Sequence, residues 1–172
     1  MRIPDVPRPA FDQRGMTIVE ILVAVAILGV GLVALSSAIP LAAYGIQEGN
    51  RLSTATFLAN QRLEQVRNAK WTVCPAVDNI GVSASDAVAP QSAGVTTFPD
   101  ETTLPAPYAG YGRKVRISAS LGPATCPGGV LTGTTGLRQV TVTVTYRPMT
   151  GIGMSAPGTA KAAVVTMYVA QR

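Results

Sequence analysis

The feature that most constrains this chain is an uncharged segment near its amino end. Residues 21–47 contain no Asp, Glu, Lys or Arg, which makes 27 consecutive positions without a charge. An α-helix needs about 20 apolar residues to cross a bilayer, so this segment is long enough to span a membrane once. The rest of the sequence contains no second segment of this length that is both uncharged and strongly apolar. We therefore expect a single membrane span followed by a domain outside the bilayer.

A short polar leader, residues 1–15, precedes this segment. It contains three prolines, which oppose helix formation. Arg14 lies at the edge of the predicted span, so the positive-inside rule favours a cytoplasmic leader and an exported domain. The alternative is an ordinary secretory signal peptide, because Ser36, Ser37 and Ala38 resemble a cleavage site. The helix-like pattern continues past them without a charge break, which favours a retained span.

Glu20 stands directly before the uncharged segment. Burying a carboxylate in hydrocarbon costs roughly 2.5–3.5 kcal/mol on insertion scales, so an acid at this position indicates a specific partner. A free amino terminus one helical turn away, in the same chain or in a neighbouring one, would neutralise it. Alternatively, Glu20 is an interfacial residue, or an acid that the positive end of the helix dipole favours.

The residues around Glu20 resemble the leader junction of the type IV pilin and pseudopilin family. A basic residue is followed by Gly15 and Met16, then by Thr-Ile-Val-Glu and the apolar residues 21–28. The resemblance implies cleavage between Gly15 and Met16 by a prepilin peptidase, and methylation of the new Met16 amine. Glu20 would then be residue 5 of the mature chain, where the family carries its acidic residue.

The resemblance also implies a function and partners. Residues 29–35 and 57–64 look most like minor pilins of the pilus-modification group. Such a subunit is stored in the inner membrane, with its leader in the cytoplasm and its domain in the periplasm. It then joins a type IV pilus through its hydrophobic helix and primes or modifies the fibre. The implied partners are major and minor pilin subunits, the prepilin peptidase, an inner-membrane assembly platform and membrane lipid.

Two other functional classes stay open at this point. A pseudopilin of a type II secretion system, which acts in a periplasmic pseudopilus, would share the whole amino-terminal third. A signal-anchored exported binding protein or enzyme would use the helix only as a tether. The state of the mature amino terminus separates the tether from the pilin family, because a tether would keep its leader.

Hydrophobic periodicity predicts an α+β fold with a long amino-terminal helix. We expect the helix to run from Met16 to about Lys70, with a transmembrane half over residues 16–48 and an amphipathic half over residues 49–71. Pro40 should kink or loosen it, because proline removes one backbone hydrogen bond. The amphipathic half should lay an apolar stripe on a globular domain. The stripe consists of Leu52, Ala55, Ala59, Leu63 and Val66.

The globular domain is expected to span residues 72–172. Residues 72–112 are rich in Pro, Gly, Ser and Thr, which indicates a loop region with short strands at most. Residues 113–172 should form an antiparallel sheet, and a helix packed on such a sheet is the layout of the pilin fold. The predicted strands cover residues 113–121, 137–147 and 160–170.

Cys74 and Cys126 each precede a proline in polar, turn-like sequence. This context favours a disulfide in an exported domain over two separate buried thiols. The chain has no histidine, so histidine-dependent catalytic triads are impossible and the commonest zinc ligand is missing. We therefore expect no enzymatic activity, no metal and no cofactor.

Two short charged clusters have alternative interpretations. Asp100 and Glu101 are the only adjacent acidic pair, and a solvated loop is favoured over a calcium site there. Arg113, Lys114 and Arg116 are the densest basic cluster. We interpret them as a solvated strand edge that discourages aggregation, in preference to a contact with nucleic acid, which we do not expect as a partner.

Overall fold

The computed structural model describes residues 15–72, 76–126, 129–148 and 159–171, and of residues 120–135 it describes the backbone only. Within these ranges one helix is followed by seven strands. The chain divides between Ala43 and Tyr44 into two compact units. Helix α1 covers Ile18–Asn68, and the strands are β1 (Trp71–Thr72), β2 (Val77–Asp78), β3 (Gln91–Ser92), β4 (Val95–Thr96), β5 (Tyr111–Cys126), β6 (Gly129–Tyr146) and β7 (Lys161–Ala170).

The main sheet is antiparallel, with strand order β5-β6-β7. Its register places Val115 opposite Val142, and Val142 opposite Val165. Side chains of a strand alternate between two faces, so the valine and threonine alternation of β6 puts its valines on one face. Val140, Val142 and Val144 are indeed fully buried. This confirms the predicted α+β fold, with a helix first and an antiparallel sheet after it.

The carboxy-terminal half of α1 shares one hydrophobic core with this sheet. Its buried residues are Ala55, Leu58, Ala59, Leu63 and Val66. A fully buried Val or Leu contributes about 1.5–3 kcal/mol relative to exposure, so Leu58, Leu63 and Val66 stabilise the packing of the helix on the sheet.

The predicted stripe contains one residue that is exposed and omits one that is buried. Leu52 is 47% exposed, because burial along the helix begins only at Ala55. Leu58, which the stripe omitted, is 2% exposed. It lies one position before Ala59, so the surface that covers the helix is wider than a single row of side chains.

The loop region contains two short antiparallel hairpins, β1–β2 and β3–β4. Between them Gly81 has a φ of +70°, and a Cβ at this position would lie 2.5 Å from the Gln91 carbonyl oxygen. Only glycine fits such a close approach in this backbone conformation. Asp78 fixes the same turn, since its Oδ1 accepts hydrogen bonds from the amides of Ile80 (3.1 Å) and Gly81 (2.7 Å).

Several predicted boundaries differ from the structure. Helix α1 ends at Asn68, slightly before Lys70. Strand β5 begins at Tyr111 and continues to Cys126, and β6 begins at Gly129, so the hairpin is longer than predicted. Glycine and proline occur in this stretch, and the backbone accommodates them with register shifts in a continuing ladder.

Candidate functional site

The amino end of α1 is capped by Thr17. Its hydroxyl accepts a hydrogen bond from the Glu20 amide at 3.2 Å, and its carbonyl accepts one from the Ile21 amide, also at 3.2 Å. In a capping box Thr stands three residues before Glu, and the hydrogen bond from the Glu amide to the Thr hydroxyl is one of its two contacts. The helix therefore starts directly after Thr17, and the Gly15–Met16 peptide bond lies outside it, with both residues exposed. The Thr-x-x-Glu spacing that marks this cap is present in the sequence.

Glu20 lies in the first turn of α1 and is exposed. Its backbone amide is used by the cap, and no ion pair of its carboxylate occurs among the described residues. The position also favours an acid, because the helix dipole is positive at this end. The carboxylate is thus available to a partner, and its role in subunit registration stays a prediction.

The first unit presents apolar side chains on every face of α1. Ile18, Leu28 and Val33 are each at least 65% exposed, and the most hydrophobic window of the helix has no buried residue. By length and composition α1 is able to cross a membrane. Ser36 and Ser37 donate their hydroxyls to helix carbonyls, both at 2.8 Å, which satisfies these polar groups without water.

Pro40 lies inside α1, and the helix continues on both sides of it. Proline has no amide hydrogen to donate to the Ser36 carbonyl, so a local weakening of the helix is expected. A kink at this position stays a prediction. A shallow groove of small and β-branched residues precedes it on the helix surface. Its lining residues are Ala26, Gly29, Val30, Val33, Ala34 and Ser37.

The predicted solvated clusters are instead partners of each other. Arg116 donates to both carboxylate oxygens of Asp100, at 2.7 and 2.8 Å. Arg113 donates Nε to Oε2 of Glu101 at 2.7 Å, and Arg62 of α1 approaches Oε1 of Glu101 at 3.3 Å. The Arg113 and Arg116 side chains are only 8% and 14% exposed, so the interpretation as a solvated edge is wrong for these two arginines, whereas Lys114 is exposed. Two arginine guanidinium groups and one carboxylate thus join the helix, the loop and β5.

The pKa values follow from these contacts. The hydrogen bonds from Arg116 hold the pKa of Asp100 below its usual value, and in return Asp100 raises the pKa of Arg116. Burial, followed by the positive charge of Arg113, lowers the pKa of Arg62 in spite of Glu101. The acidic pair therefore serves as a counter-charge for arginines, which leaves no carboxylate oxygens arranged for calcium. Among the described residues no group of three potential ligands from His, Cys, Asp and Glu occurs.

A second charged contact joins β6 to the two short strands that follow α1. Arg138 of β6 donates to Asp78 at 2.8 Å and stacks over the Trp71 ring, 4.3 Å from its centroid. Burial opposes ionisation of Asp78, but the hydrogen bonds from Arg138 and from the Gly81 amide together lower its pKa. Trp71 is 3% exposed and belongs to the hydrophobic core.

Glu48 makes a third contact, at the start of the second unit. Its Oε1 accepts hydrogen bonds from Lys161 of β7 at 2.8 Å and from the Tyr146 hydroxyl of β6 at 3.2 Å. The hydrogen bond to Glu48 raises the pKa of Lys161. Burial, with Glu48 as the next cause, raises the pKa of Tyr146. Helix α1 is thereby tied to the two strands that are farthest along the chain.

The predicted disulfide lies outside the described residues. Residue 74 is not described, and of Cys126 only the backbone is described. The pairing of Cys74 with Cys126 therefore stays a prediction.

The fold and the capped apolar helix define an α+β protein with an amino-terminal segment suited to a membrane or to other helices. Comparison with protein families matches residues 11–36 to the prokaryotic N-terminal methylation motif. This match supports the resemblance of the amino-terminal segment to type IV pilin and pseudopilin proteins. No curated protein and no solved structure matches it.

The matched motif has consequences for processing and class. It includes Gly15, Met16 and Glu20 and implies processing by a prepilin peptidase and assembly with other pilin subunits. Its family is structural rather than enzymatic. The leader together with the apolar helix is consistent with a single-pass, membrane-anchored protein.

Proposed function

We propose that this protein is a minor type IV pilin, a subunit stored in the inner membrane and incorporated into a pilus to prime or modify its assembly. The observation that carries this proposal is the methylation motif on a capped helix whose apolar surface is exposed on every face. A helix that is apolar all round needs either lipid or other apolar helices around it. Storage in a membrane and packing in a fibre satisfy this need in turn.

Processing is the first step of the proposed mechanism. The Gly15–Met16 bond lies before the helix cap, so a peptidase reaches it without unwinding α1. Cleavage creates an amine at Met16, which is then methylated. In the fibre, the Glu20 carboxylate of one subunit meets the Met16 amine of a neighbour, and the loss of water around this pair strengthens it. Glu20 thereby sets the register between subunits.

The groove of small residues on α1 supports helix–helix contact. Small side chains let helix backbones approach closely, which is how helices associate in an apolar environment. The proposed partners are major and minor pilins, the prepilin peptidase, an inner-membrane assembly platform and lipid. The leader is cytoplasmic and the second unit periplasmic until the subunit enters the extracellular pilus.

Replacing Glu20 with Ala tests the registration step. We expect Glu20→Ala to leave the amount of protein in the membrane fraction unchanged and to remove it from sheared pili. The matched control is Glu64→Ala, because Glu64 is an exposed acid of the same helix that pairs with Arg67 at 3.0 Å. Equal recovery of both variants in the pilus fraction would remove the proposed role of Glu20.

Mass spectrometry of the native protein tests processing. A mature chain that begins with methylated Met16 supports the proposal, whereas an intact leader supports the signal-anchored alternative. A type II secretion pseudopilin would be processed in the same way, since it shares this motif. Deletion of the gene separates the two: loss of pili supports a minor pilin, and a secretion defect with normal pili supports a pseudopilin.

A further inference from the structure

A cleft in the second unit carries positive charge without a matching acid. Its volume is about 600 Å³, and it lies between α1, the loop before β5 and the end of β6. Among the described residues that line it there is no carboxylate. The lining consists of Arg51, Thr102, Thr103, Ala109, Gly110, Tyr111, Tyr146 and Arg147.

The two arginines of the cleft are held close to each other. Nη1 of Arg51 donates a hydrogen bond to the backbone carbonyl of Arg147. The side chain of Arg51 therefore contacts the backbone of the other arginine that lines the cleft. Tyr111 and Tyr146 form part of the wall, with ring centroids 6.1 Å apart. Their hydroxyls are already directed to Arg51 and Glu48, respectively, on the helix.

Among the described residues, the ion pairs of the second unit join acids to cations other than these two arginines. The sequence contains no Asp or Glu after Glu101. The nearby acids serve other cations: Glu48 accepts from Lys161, Asp100 from Arg116 and Glu101 from Arg113. Within the described part of the chain, neither Arg51 nor Arg147 makes an ion pair. Both arginines that line the cleft therefore lack a carboxylate partner there, and a bound anion would supply the missing counter-charge.

We infer that this cleft binds a phosphate group, either of a soluble phosphate compound or of a lipid headgroup. Arginine presents a planar fork of donors that suits phosphate, and the cleft adds the hydroxyls of Thr102 and Thr103. These donors come from the helix, from the loop before β5 and from the residue directly after β6, so they suit an anion with oxygens on several sides. The position in the sequence is compatible with a lipid source, because Arg51 follows the uncharged residues 21–47 by four positions. The inference stands apart from the proposed function, since it concerns only the second unit.

Calorimetric titration of the full chain in neutral detergent with inorganic phosphate tests the site. We expect saturable binding, weakened roughly tenfold by Arg51→Gln and by Arg147→Gln, since each removes charge-assisted hydrogen bonds. The control is Arg67→Gln, which removes an exposed arginine outside the cleft and should bind phosphate like the unaltered protein. Trp71 fluorescence checks that every variant is folded, because this side chain is buried in the core.

Two further measurements decide the chemistry and the source. Titration with acetate should show much weaker binding, and equal affinity for acetate would overturn the assignment to phosphate. Native mass spectrometry after addition of phosphatidylglycerol should show one retained lipid that Arg51→Gln releases if the source is a headgroup. Binding of phosphate with no retained lipid supports a soluble source. No saturable phosphate binding below about 10 mM, or equal loss with Arg67→Gln, would refute the site.

Discussion

Glu101 should be the most important acid for the stability of the second unit. Its carboxylate is 31% exposed and is shared by Arg113 and Arg62, whose side chains are 8% and 11% exposed. Replacing Glu101 with Gln preserves its size but leaves two largely buried guanidinium groups without their counter-charge. Removing one partner of a buried ion pair is strongly destabilising, because the remaining charge was taken out of water.

The size of the effect follows from the two contacts. A hydrogen bond to a charged group contributes about 1.5–3 kcal/mol, and the contact at 2.7 Å to Arg113 should lie in the upper part of this range. The contact at 3.3 Å to Arg62 should contribute less, and the partial exposure of Glu101 screens both. We expect Glu101→Gln to lower the free energy of unfolding by about 3 kcal/mol.

Urea denaturation, followed by the fluorescence of Trp71, measures this loss. With a typical dependence of about 1–3 kcal/mol per molar urea, the midpoint should fall by roughly 1–3 M. Glu64→Gln is the control, since the Glu64–Arg67 pair is more than half exposed and should contribute no more than about 0.5 kcal/mol. Similar midpoints for the two variants would refute the view that the buried arrangement stabilises the fold.

Three further outcomes follow from the same structure. Arg116 lowers the pKa of Asp100 in the folded protein. The contribution of Asp100 to stability is therefore complete above its unfolded pKa near 3.8 and is lost as pH falls through the folded pKa. When the free energy of unfolding is measured against acid pH, the curve should be flatter for Asp100→Asn. Glu48 raises the pKa of Lys161 in the folded protein. The stability that this pair contributes is therefore present below the unfolded pKa of Lys161 near 10.5 and is lost as pH rises through the folded pKa. If Glu48→Gln left the alkaline pH dependence of the free energy of unfolding unchanged, this expectation would be contradicted. Gly94→Ala should cost about 1–2 kcal/mol for its left-handed backbone alone, whereas Gly81→Ala should cost about 1–3 kcal/mol more because its Cβ meets the Gln91 backbone, and thermal melts of both variants compare them.

Periodic features of the sequence were sufficient to predict the fold. The apolar run and the later helical stripe predicted α1, and the alternation in β6 predicted which of its faces is buried. Strand β7, Lys161–Ala170, coincides closely with the predicted strand over residues 160–170. Such patterns are local, because a helix or a strand repeats its burial within a few residues.

The partners of charged residues could not be predicted in the same way. Asp78 pairs with Arg138, 60 positions away, and no short pattern connects them. The sequence shows that charges exist, but only the folded topology decides whether a cluster faces solvent or another cluster. The extension of the β5–β6 hairpin was missed for a different reason: glycine and proline usually mark turns, and here they occur within a ladder that shifts register. The Thr17 cap, in contrast, could have been recognised from its spacing to Glu20.

The separation of acids from bases along the chain has a consequence for the order in which contacts form during synthesis. Glu48, Asp78 and Asp100 all precede their basic partners, by as many as 113 positions for Glu48 and Lys161. The ribosome synthesises these carboxylates before their basic partners. The chain up to Glu101 contains acidic and basic side chains, whereas every charged side chain added after Glu101 is basic. Arg116, Arg138 and Lys161 can therefore dock onto carboxylates that have already been synthesised, and the last described strand, β7, is drawn to the beginning of the second unit by Glu48.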